Sequence, residues 1–164
     1  MQRKDWPNFS KNLISKVNKI ISSGKINYTT SPYGKKFEKN FSRFIGNKYS
    51  VAICNGTAAL EVAIKSLELP KNSEIIVTAR SFFSSAACIV NTGYSPIFAD
   101  VDFLTQNISV DEIKKKFTKK TKAIICVHLA GLPCDMNSIK EFAGEKKLKI
   151  IEDCSQAHGA SINK

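Results

Sequence analysis

The turn Asn55-Gly56-Thr57-Ala58 has the composition of a phosphate-binding turn. It joins a short apolar run to a helical stripe, so the free N–H groups of the first helical turn, the positive end of the helix dipole and the Thr57 hydroxyl converge on one point. Gly56 would let a phosphate approach closely because it carries no side chain. An ordinary Asn-Gly turn with a threonine cap has the same composition, and that alternative stays open.

A carboxylate follows the last strongly apolar run of the chain. Residues 147–151 give way abruptly to Glu152 and Asp153, a pattern that predicts a buried strand with Asp153 at its C-terminal edge. Ligands of open α/β sheets bind at that edge. The competing interpretation is that Asp153 only caps the turn or helix that follows.

Aromatic and imidazole side chains follow two further predicted strands. Phe82 offers a ring that could stack on a planar cofactor, whereas Phe83 is predicted to pack in the core. His128 is predicted either to support the site from a second layer or to be a satisfied, half-buried ring. His158 has small neighbours, and we expect it to be structural.

Asp100 and Asp102 form a carboxylate pair at another strand end. A metal site would need more ligands, and neither a histidine nor a third carboxylate lies at a suitable spacing. We therefore predict that both residues form a turn and that the chain holds no metal.

The phosphate-binding turn, Phe82 and Asp153 together predict a phosphorylated, flat, heteroaromatic cofactor with a basic ring nitrogen. That description matches pyridoxal 5'-phosphate (PLP), whose pyridinium needs an Asp partner to act as an electron sink. The chain has neither a G-x-G-x-x-G fingerprint nor a G-K-[ST] loop. Their absence weakens the dinucleotide-binding and nucleoside-triphosphatase alternatives.

Short apolar runs alternate with helical stripes from residue 49 onward, which predicts an α/β fold with a mostly parallel sheet. Right-handed crossovers place all the helix-entering turns, and hence the candidate residues, along one sheet edge. Two amphipathic helices, 10–21 and 35–45, are predicted before the sheet, joined by a long loop. The strands are predicted at 50–53, 74–77, 96–99, 123–127 and 149–152, and the intervening helices at 57–67, 83–91, 110–117 and 137–146.

Composition narrows the class of protein. The 164 residues suffice for one domain or form a piece of a larger protein. The net charge of +11 comes from scattered lysines rather than a basic stripe, so we expect no nucleic-acid partner. The five cysteines are odd in number and form no C-x-x-C pair, which predicts reduced thiols. No signal-peptide core or membrane-length apolar run is present, so we expect a cytoplasmic protein without a membrane partner.

Seven stretches, in family order across nearly the whole chain, resemble the DegT/DnrJ/EryC1/StrS family of sugar aminotransferases. The resemblance implies a three-layer, fold-type I PLP-dependent transferase. It also implies that the Thr57 and Ala58 amides hold the phosphate, that Phe82 stacks on the pyridine ring, that Asp153 pairs with the ring nitrogen and that Gln156 binds the phenolic oxygen. The stretches are SGKINY (23–28), FEKNF (37–41), NGTAAL (55–60), FADVD (98–102), TKAII (121–125), VHLAG (127–131) and IEDCSQAHGA (151–160).

The resemblance also implies a domain organisation. Residues 1–48 would form N-terminal helices with a substrate-side loop, and residues 49–164 the first part of the large PLP-binding domain, with the smaller C-terminal domain absent. Family members carry their Schiff-base lysine further along the chain. Lys164 follows Asp153 too soon to be that lysine, so no catalytic residue is assigned. We therefore expect these 164 residues alone to be catalytically inactive.

For the intact protein the resemblance implies a homodimer that transfers an amino group, typically from glutamate, to a nucleotide-linked keto-sugar for cell-surface polysaccharide or other sugar biosynthesis. Three alternatives remain. The first is a PLP-dependent nucleotide-sugar dehydratase of the same family, with histidine in place of the Schiff-base lysine. The others are a nucleotide-sugar or NAD-binding oxidoreductase domain and a non-catalytic regulatory protein that keeps the PLP pocket.

Overall fold

A computed structural model describes residues 7–162 of the chain. The structure divides into two compact units, Met1–Ala52 and Ile53–Lys164. Lys164, which is predicted not to be the Schiff-base lysine, lies outside the described residues. Each unit has its own set of internal contacts.

The first unit contains the two predicted amphipathic helices. Helix α1 (Lys11–Ser22) starts at Ser10, whose Oγ accepts the Leu13 N–H at 3.2 Å. Helix α2 (Tyr33–Ile45) ends at Gly46, which has the left-handed φ of 80° that favours glycine. Both helices confirm the amphipathic pattern of the sequence.

The link between the helices is fastened to α2 by Glu38. Its two carboxylate oxygens accept the Ala52 N–H and the Tyr28 hydroxyl, each at 2.9 Å. These two donors, the Ala52 N–H first, lower the pKa of the Glu38 carboxyl. Glu38 thus ties residues that precede and follow α2 to that helix.

The second unit is a parallel sheet covered on both faces. Its strand order is β2-β1-β3-β4, and every neighbouring pair is parallel. Because all strands run in one direction, their C-terminal ends lie along one edge. The elements are α3 (Gly56–Ser66), β1 (Glu74–Thr78), α4 (Ser84–Asn91), β2 (Ser95–Ala99), α5 (Val110–Lys116), β3 (Thr121–Val127), a 3-10 turn (Leu129–Gly131), α6 (Met136–Lys146) and β4 (Lys149–Asp153).

Strand alternation produces the three layers. Ile124 of β3 packs with Ile113 of α5 and Ile139 of α6, while its neighbour Ile125 packs on the other face with Ile64 of α3. Burying one such side chain contributes about 1.5–3 kcal/mol. The central strands are therefore held from both faces, and the predicted three-layer α/β class is confirmed.

The prediction of a strand at 50–53 is wrong. This segment has no regular secondary structure, and the Val51 side chain is 74% exposed. A strand needs a neighbouring strand to accept its backbone N–H groups, yet the Ala52 N–H bonds instead to the Glu38 side chain. An apolar run alone does not provide that partner.

Candidate functional site

The turn after residue 53 does form the start of a helix. Asn55 is extended and caps α3, and its Oδ1 accepts the Ala58 N–H at 2.9 Å. The Gly56 and Thr57 N–H groups lie in the first helical turn, where no intrahelical carbonyl can accept them. A phosphate at this helix start would meet those two groups directly and would compete with Asn55 for the Ala58 N–H.

Two serines at the start of α4 face the same place. Ser84 and Ser85 are both buried, and the Ser84 Oγ lies 2.7 Å from the Thr57 Oγ1. Ser85 donates to the Asp153 Oδ2 at 3.4 Å and lies 2.7 Å from the Ser81 hydroxyl. The starts of α3 and α4 and the end of β4 are therefore joined by hydroxyl groups.

Asp153 is the last residue of β4 and is half-buried. Its Oδ1 accepts both the N–H and the hydroxyl of Ser155, at 3.1 and 2.6 Å. Its Oδ2 has only the long contact from Ser85, which leaves that oxygen suited to a further, positively charged donor. A Cβ on Gly56 would lie 3.6 Å from the Ser155 Oγ, so the carboxylate is close to the start of α3.

Phe82 comes two residues before Ser84 and keeps its ring exposed. Its carbonyl accepts the Ser85 N–H at 3.0 Å, and its side chain is 72% exposed. The prediction that Phe83 packs in the core is wrong, because this side chain is 81% exposed. Phe83 caps α4, and the buried face of that helix begins one residue later, so the ring projects before the buried face starts.

Gln156 is held by the turn that follows β3. Its Oε1 accepts the Ala130 N–H at 2.7 Å. Ala130 and Gly131 both have left-handed φ angles, 52° and 87°. This backbone conformation directs the Ala130 N–H toward Gln156.

The His128 ring contacts Glu152 rather than Asp153. Its Nδ1 accepts the Cys134 N–H at 3.0 Å, so the neutral ring carries its proton on Nε2, which donates to the Glu152 Oε2 at 3.0 Å. The ring is buried rather than half-buried, and both of its nitrogens have partners. Only the backbone of His128 touches Asp153, whose carbonyl accepts the His128 N–H at 3.1 Å.

A cavity of about 290 Å³ opens on the Glu152 side of β4. Its lining includes the His128 ring, Met136, Lys140 and Cys154, but not Asp153. It is therefore separate from the hydroxyl and carboxylate cluster.

Asp102 does begin a turn, as predicted, whereas Asp100 lies before it and accepts the Val101 N–H at 2.8 Å. The Asp102 Oδ1 accepts the Thr105 N–H, the Thr105 hydroxyl and the Leu104 N–H, at 2.8, 2.9 and 3.1 Å. These hydrogen bonds, chiefly those from Thr105, lower the pKa of the Asp102 carboxyl. Within residues 7–162, no group of three His, Cys, Asp or Glu side chains is placed to hold a metal ion.

The thiols near the site are protonated at neutral pH. Burial raises the pKa of Cys88 to about 11, and the more distant Asp153 charge adds slightly to that effect. Burial likewise raises the pKa of Cys154, the residue after Asp153. Because the thiolate is the nucleophilic form, neither residue is activated for covalent chemistry.

Sequence reasoning missed the three serines that connect the candidate residues. Ser84 and Ser85 are the first two residues of α4, and Ser155 lies two residues after a strand-end carboxylate. The available signal was weak, because hydroxyl residues are common in any helix-entering turn.

None of the helices described between residues 7 and 162 has the length and apolar character needed to cross a membrane.

The model of the DegT/DnrJ/EryC1/StrS aminotransferase family matches residues 7–164. The chain is 41% identical over 144 residues to GDP-perosamine synthase of Escherichia coli O157:H7, covering 88% of this chain and 39% of that protein. It is 36% identical over 155 residues to the dTDP-3-amino-3,6-dideoxy-alpha-D-galactopyranose transaminase of Aneurinibacillus thermoaerophilus, covering 94% and 42%. The chain thus spans about 40% of the length of these relatives.

Solved structures agree in fold. The aminotransferase from Psychrobacter cryohalolentis superposes with a TM-score of 0.93 at 43% identity, covering 96% of this chain and 40% of that one. The PLP form of a sugar aminotransferase from Streptococcus pneumoniae gives 0.86 at 27% identity, covering 93% and 42%. A GDP-4-keto-6-deoxymannose-3-dehydratase variant with bound GDP-perosamine gives 0.88 at 28% identity, covering 96% and 42%.

Proposed function

The chain belongs to the DegT/DnrJ/EryC1/StrS aminotransferase family, and from that premise we propose that the intact protein is a PLP-dependent aminotransferase acting on a nucleotide-linked keto-sugar. The proposal rests on one observation. The Ser155 hydroxyl that donates to the Asp153 carboxylate also lies beside Gly56 at the start of α3. A helix start suited to an anion then lies beside a carboxylate suited to a cation.

The residues at this edge fit pyridoxal phosphate. The Gly56 and Thr57 N–H groups and the Thr57 and Ser84 hydroxyls would hold the phosphate, with Ala58 joining if Asn55 turns aside. The Phe82 ring has an exposed face for stacking. Anion-binding donors, an exposed ring and a carboxylate are the groups that this cofactor requires.

When bound, pyridoxal phosphate supplies an electron sink for the charge left on an amine-bearing carbon that has lost a proton. Asp153 would keep a proton on the ring nitrogen, because a nearby carboxylate favours the cationic form of a base. Ser155 holds the Asp153 Oδ1 with two hydrogen bonds, which leaves the other oxygen available for that nitrogen. Gln156 would donate an N–H to the phenolic oxygen, and Phe82 would cover one ring face against water.

The substrate class follows from the relatives. Two of them are named for the aminated sugars of GDP and dTDP, which supports a nucleotide-linked keto-sugar as the acceptor. We take glutamate as the amino donor, as is typical of the family. We also expect a homodimer in which residues 53–162 form part of the large cofactor-binding domain, and light scattering of the intact protein tests the dimer.

The experiment is a glutamate half-reaction with intact protein loaded with PLP. The wild type should release 2-oxoglutarate in an amount equal to the bound cofactor. Asp153→Asn should bind PLP roughly tenfold more weakly and react about 100-fold more slowly, since a lost opposite charge shifts a pKa by about 1–3 units. Asp111→Asn, on an exposed position of α5, is the control and should match wild type. Equal rates for both variants would overturn the role of Asp153.

A nucleotide-sugar dehydratase is the second candidate, because one of the similar structures is such an enzyme. Incubating the intact protein with glutamate and GDP-4-keto-6-deoxymannose separates the two. An aminotransferase replaces the carbonyl oxygen with an amino group, whereas a dehydratase that yields a deoxy sugar removes a hydroxyl group as water, keeps the carbonyl and takes two electrons from glutamate, which leaves as 2-oxoglutarate and ammonia. Mass spectrometry of the sugar nucleotide distinguishes these products, and a deoxygenated sugar without nitrogen would reject the aminotransferase.

A further inference from the structure

We propose that Asn107 is a positioning residue that sets the orientation of the Gln156 carboxamide through the turn after β3. The inference rests on the proposed function, because it assigns Gln156 to the phenolic oxygen of the cofactor. Asn107 itself does not touch the cofactor. It acts by fixing the backbone N–H that Gln156 accepts.

Asn107 binds both ends of the 3-10 turn. Its side chain is only 3% exposed. The Oδ1 accepts the Leu129 N–H at 3.1 Å, and the Nδ2 donates to the Leu132 carbonyl at 2.9 Å. One carboxamide thus satisfies a donor and an acceptor that flank the turn Leu129–Gly131.

Asn107 is itself fixed by the loop after β2. Its carbonyl accepts the Asp102 N–H at 2.8 Å, and its N–H donates to the Thr105 Oγ1 at 3.4 Å. The Asp102 carboxylate organises the same loop through Thr105. The anchor therefore comes from a different loop than the turn that it holds.

The turn needs such an anchor because its backbone is unusual. Ala130 has φ 52° and ψ 23°, a left-handed conformation that L residues other than Asn and Asp rarely adopt. Gly131 follows with φ 87°. In this conformation the Ala130 N–H points at the Gln156 Oε1, 2.7 Å away.

That contact decides which end of the Gln156 carboxamide faces the site. A backbone N–H can only donate, so the Gln156 oxygen must face Ala130 and the NH₂ group must lie on the other end of the carboxamide. An NH₂ donor is what a phenolic oxygen requires. If the turn relaxed, the carboxamide could rotate and present its oxygen, which would repel that group.

The test uses intact protein with PLP as the probe and the variants Asn107→Ala, Asn107→Asp, Gln156→Ala and the Asn107→Ala/Gln156→Ala double variant. Asn107→Asp keeps the acceptor for Leu129 but faces the Leu132 carbonyl with an oxygen, and its near-identical shape leaves no cavity. Asn91→Ala is the matched control, because Asn91 donates to Glu61 at the far end of α4. The readouts are the PLP dissociation constant and the pH titration of the bound-cofactor absorption band.

Each single change at Asn107 or Gln156 should weaken PLP binding roughly three- to tenfold, as expected for one lost hydrogen bond. Each change should also shift the pH midpoint of the bound-cofactor absorption band in the same direction. The double variant should bind no more weakly than Gln156→Ala alone. Additive losses, or an Asn107→Ala protein that is less heat-stable but has an unchanged titration, would overturn the inference.

Hydrogen exchange separates failure of this inference from failure of the proposed function. The Ala130 amide should exchange faster in both Asn107→Ala and Gln156→Ala than in Asn91→Ala, with or without PLP. Unchanged Ala130 exchange in Asn107→Ala overturns the positioning role even if PLP binds. A wild-type protein that does not bind PLP overturns the proposed function, while the Ala130 exchange still reports on the link between Asn107 and Gln156.

Discussion

Glu152 and Asp153 are neighbouring carboxylates at the end of β4 with different surroundings. Glu152 accepts from a buried imidazole on the side of the sheet covered by α5 and α6, whereas Asp153 accepts from two serines beside the starts of α3 and α4. Strand alternation alone sends adjacent side chains to opposite faces. Glu152 is thus bound to a buried imidazole, and Asp153 is left for a ligand.

The largest expected effect is on the Glu152 side. Replacing His128 with Ala leaves the buried Cys134 N–H without its acceptor and removes the donor to Glu152. The free energy of unfolding should fall by about 2–4 kcal/mol. Urea unfolding measures it, with Lys114→Ala at an exposed position of α5 as control. A loss equal to that of the control would show that the imidazole adds nothing to stability.

On the Asp153 side, Ser155→Ala should affect the ligand more than the fold. The Asp153 Oδ1 loses its 2.6 Å hydroxyl donor, and PLP binding to the intact protein should weaken about tenfold while unfolding changes little. Ser138→Ala is the matched control, because Ser138 donates to Asp135 at 2.7 Å at the start of α6. PLP binding is measured by fluorescence titration. Equal PLP affinities of Ser155→Ala and Ser138→Ala would contradict the role given to Ser155.

Glu152→Gln should have a smaller effect. The Gln side-chain oxygen can still accept from the His128 Nε2 proton, so the unfolding free energy should fall by less than about 1 kcal/mol. PLP affinity should not change, in contrast to Asp153→Asn. If Glu152→Gln weakened PLP binding as much as Asp153→Asn, the division between the two sides of β4 would be wrong.

Near neutral pH the smallest effect is expected from titration of the Cys88 thiol. The pKa of Cys88 is raised to about 11 in the folded protein, so the folded state holds its proton more tightly than the unfolded state, whose thiol titrates near the usual value of 9.0. Stability from this group is therefore complete below about pH 9 and is lost as the pH rises toward 11. Iodoacetamide at pH 8 should label the exposed Cys54 before the buried Cys88, as mass spectrometry would show. Equal labelling would show that Cys88 is accessible.

The sequence predicted those elements whose signals are local. The strand predicted at 123–127, the helix predicted from residue 57 and the strand with Asp153 at its C-terminal edge all follow from short-range patterns. The strand at 50–53 failed because strand formation depends on a distant partner. Phe83 failed because a shift of one residue at a helix start changes the face that a side chain occupies.

The parts of the site that escaped prediction depend on contacts between distant loops. Ser84 meets Thr57, and Asn107 meets Leu129 and Leu132, across separations that no local pattern reports. The left-handed φ of Ala130 was equally invisible, because alanine has no preference for that conformation. Loop geometry of this kind follows from the assembled sheet.

The separation of Thr57 and Asp153 along the chain also bears on synthesis of the protein. The helix start belongs to α3 and the carboxylate to β4, so a ribosome has made the whole stretch from Gly56 to Asp153 before the two can meet. Under the proposed function, a nascent chain whose β4 has not joined β3 would offer an anion site but no partner for a ring nitrogen. PLP should therefore protect chains stalled well beyond β4 from proteolysis more than chains stalled before it.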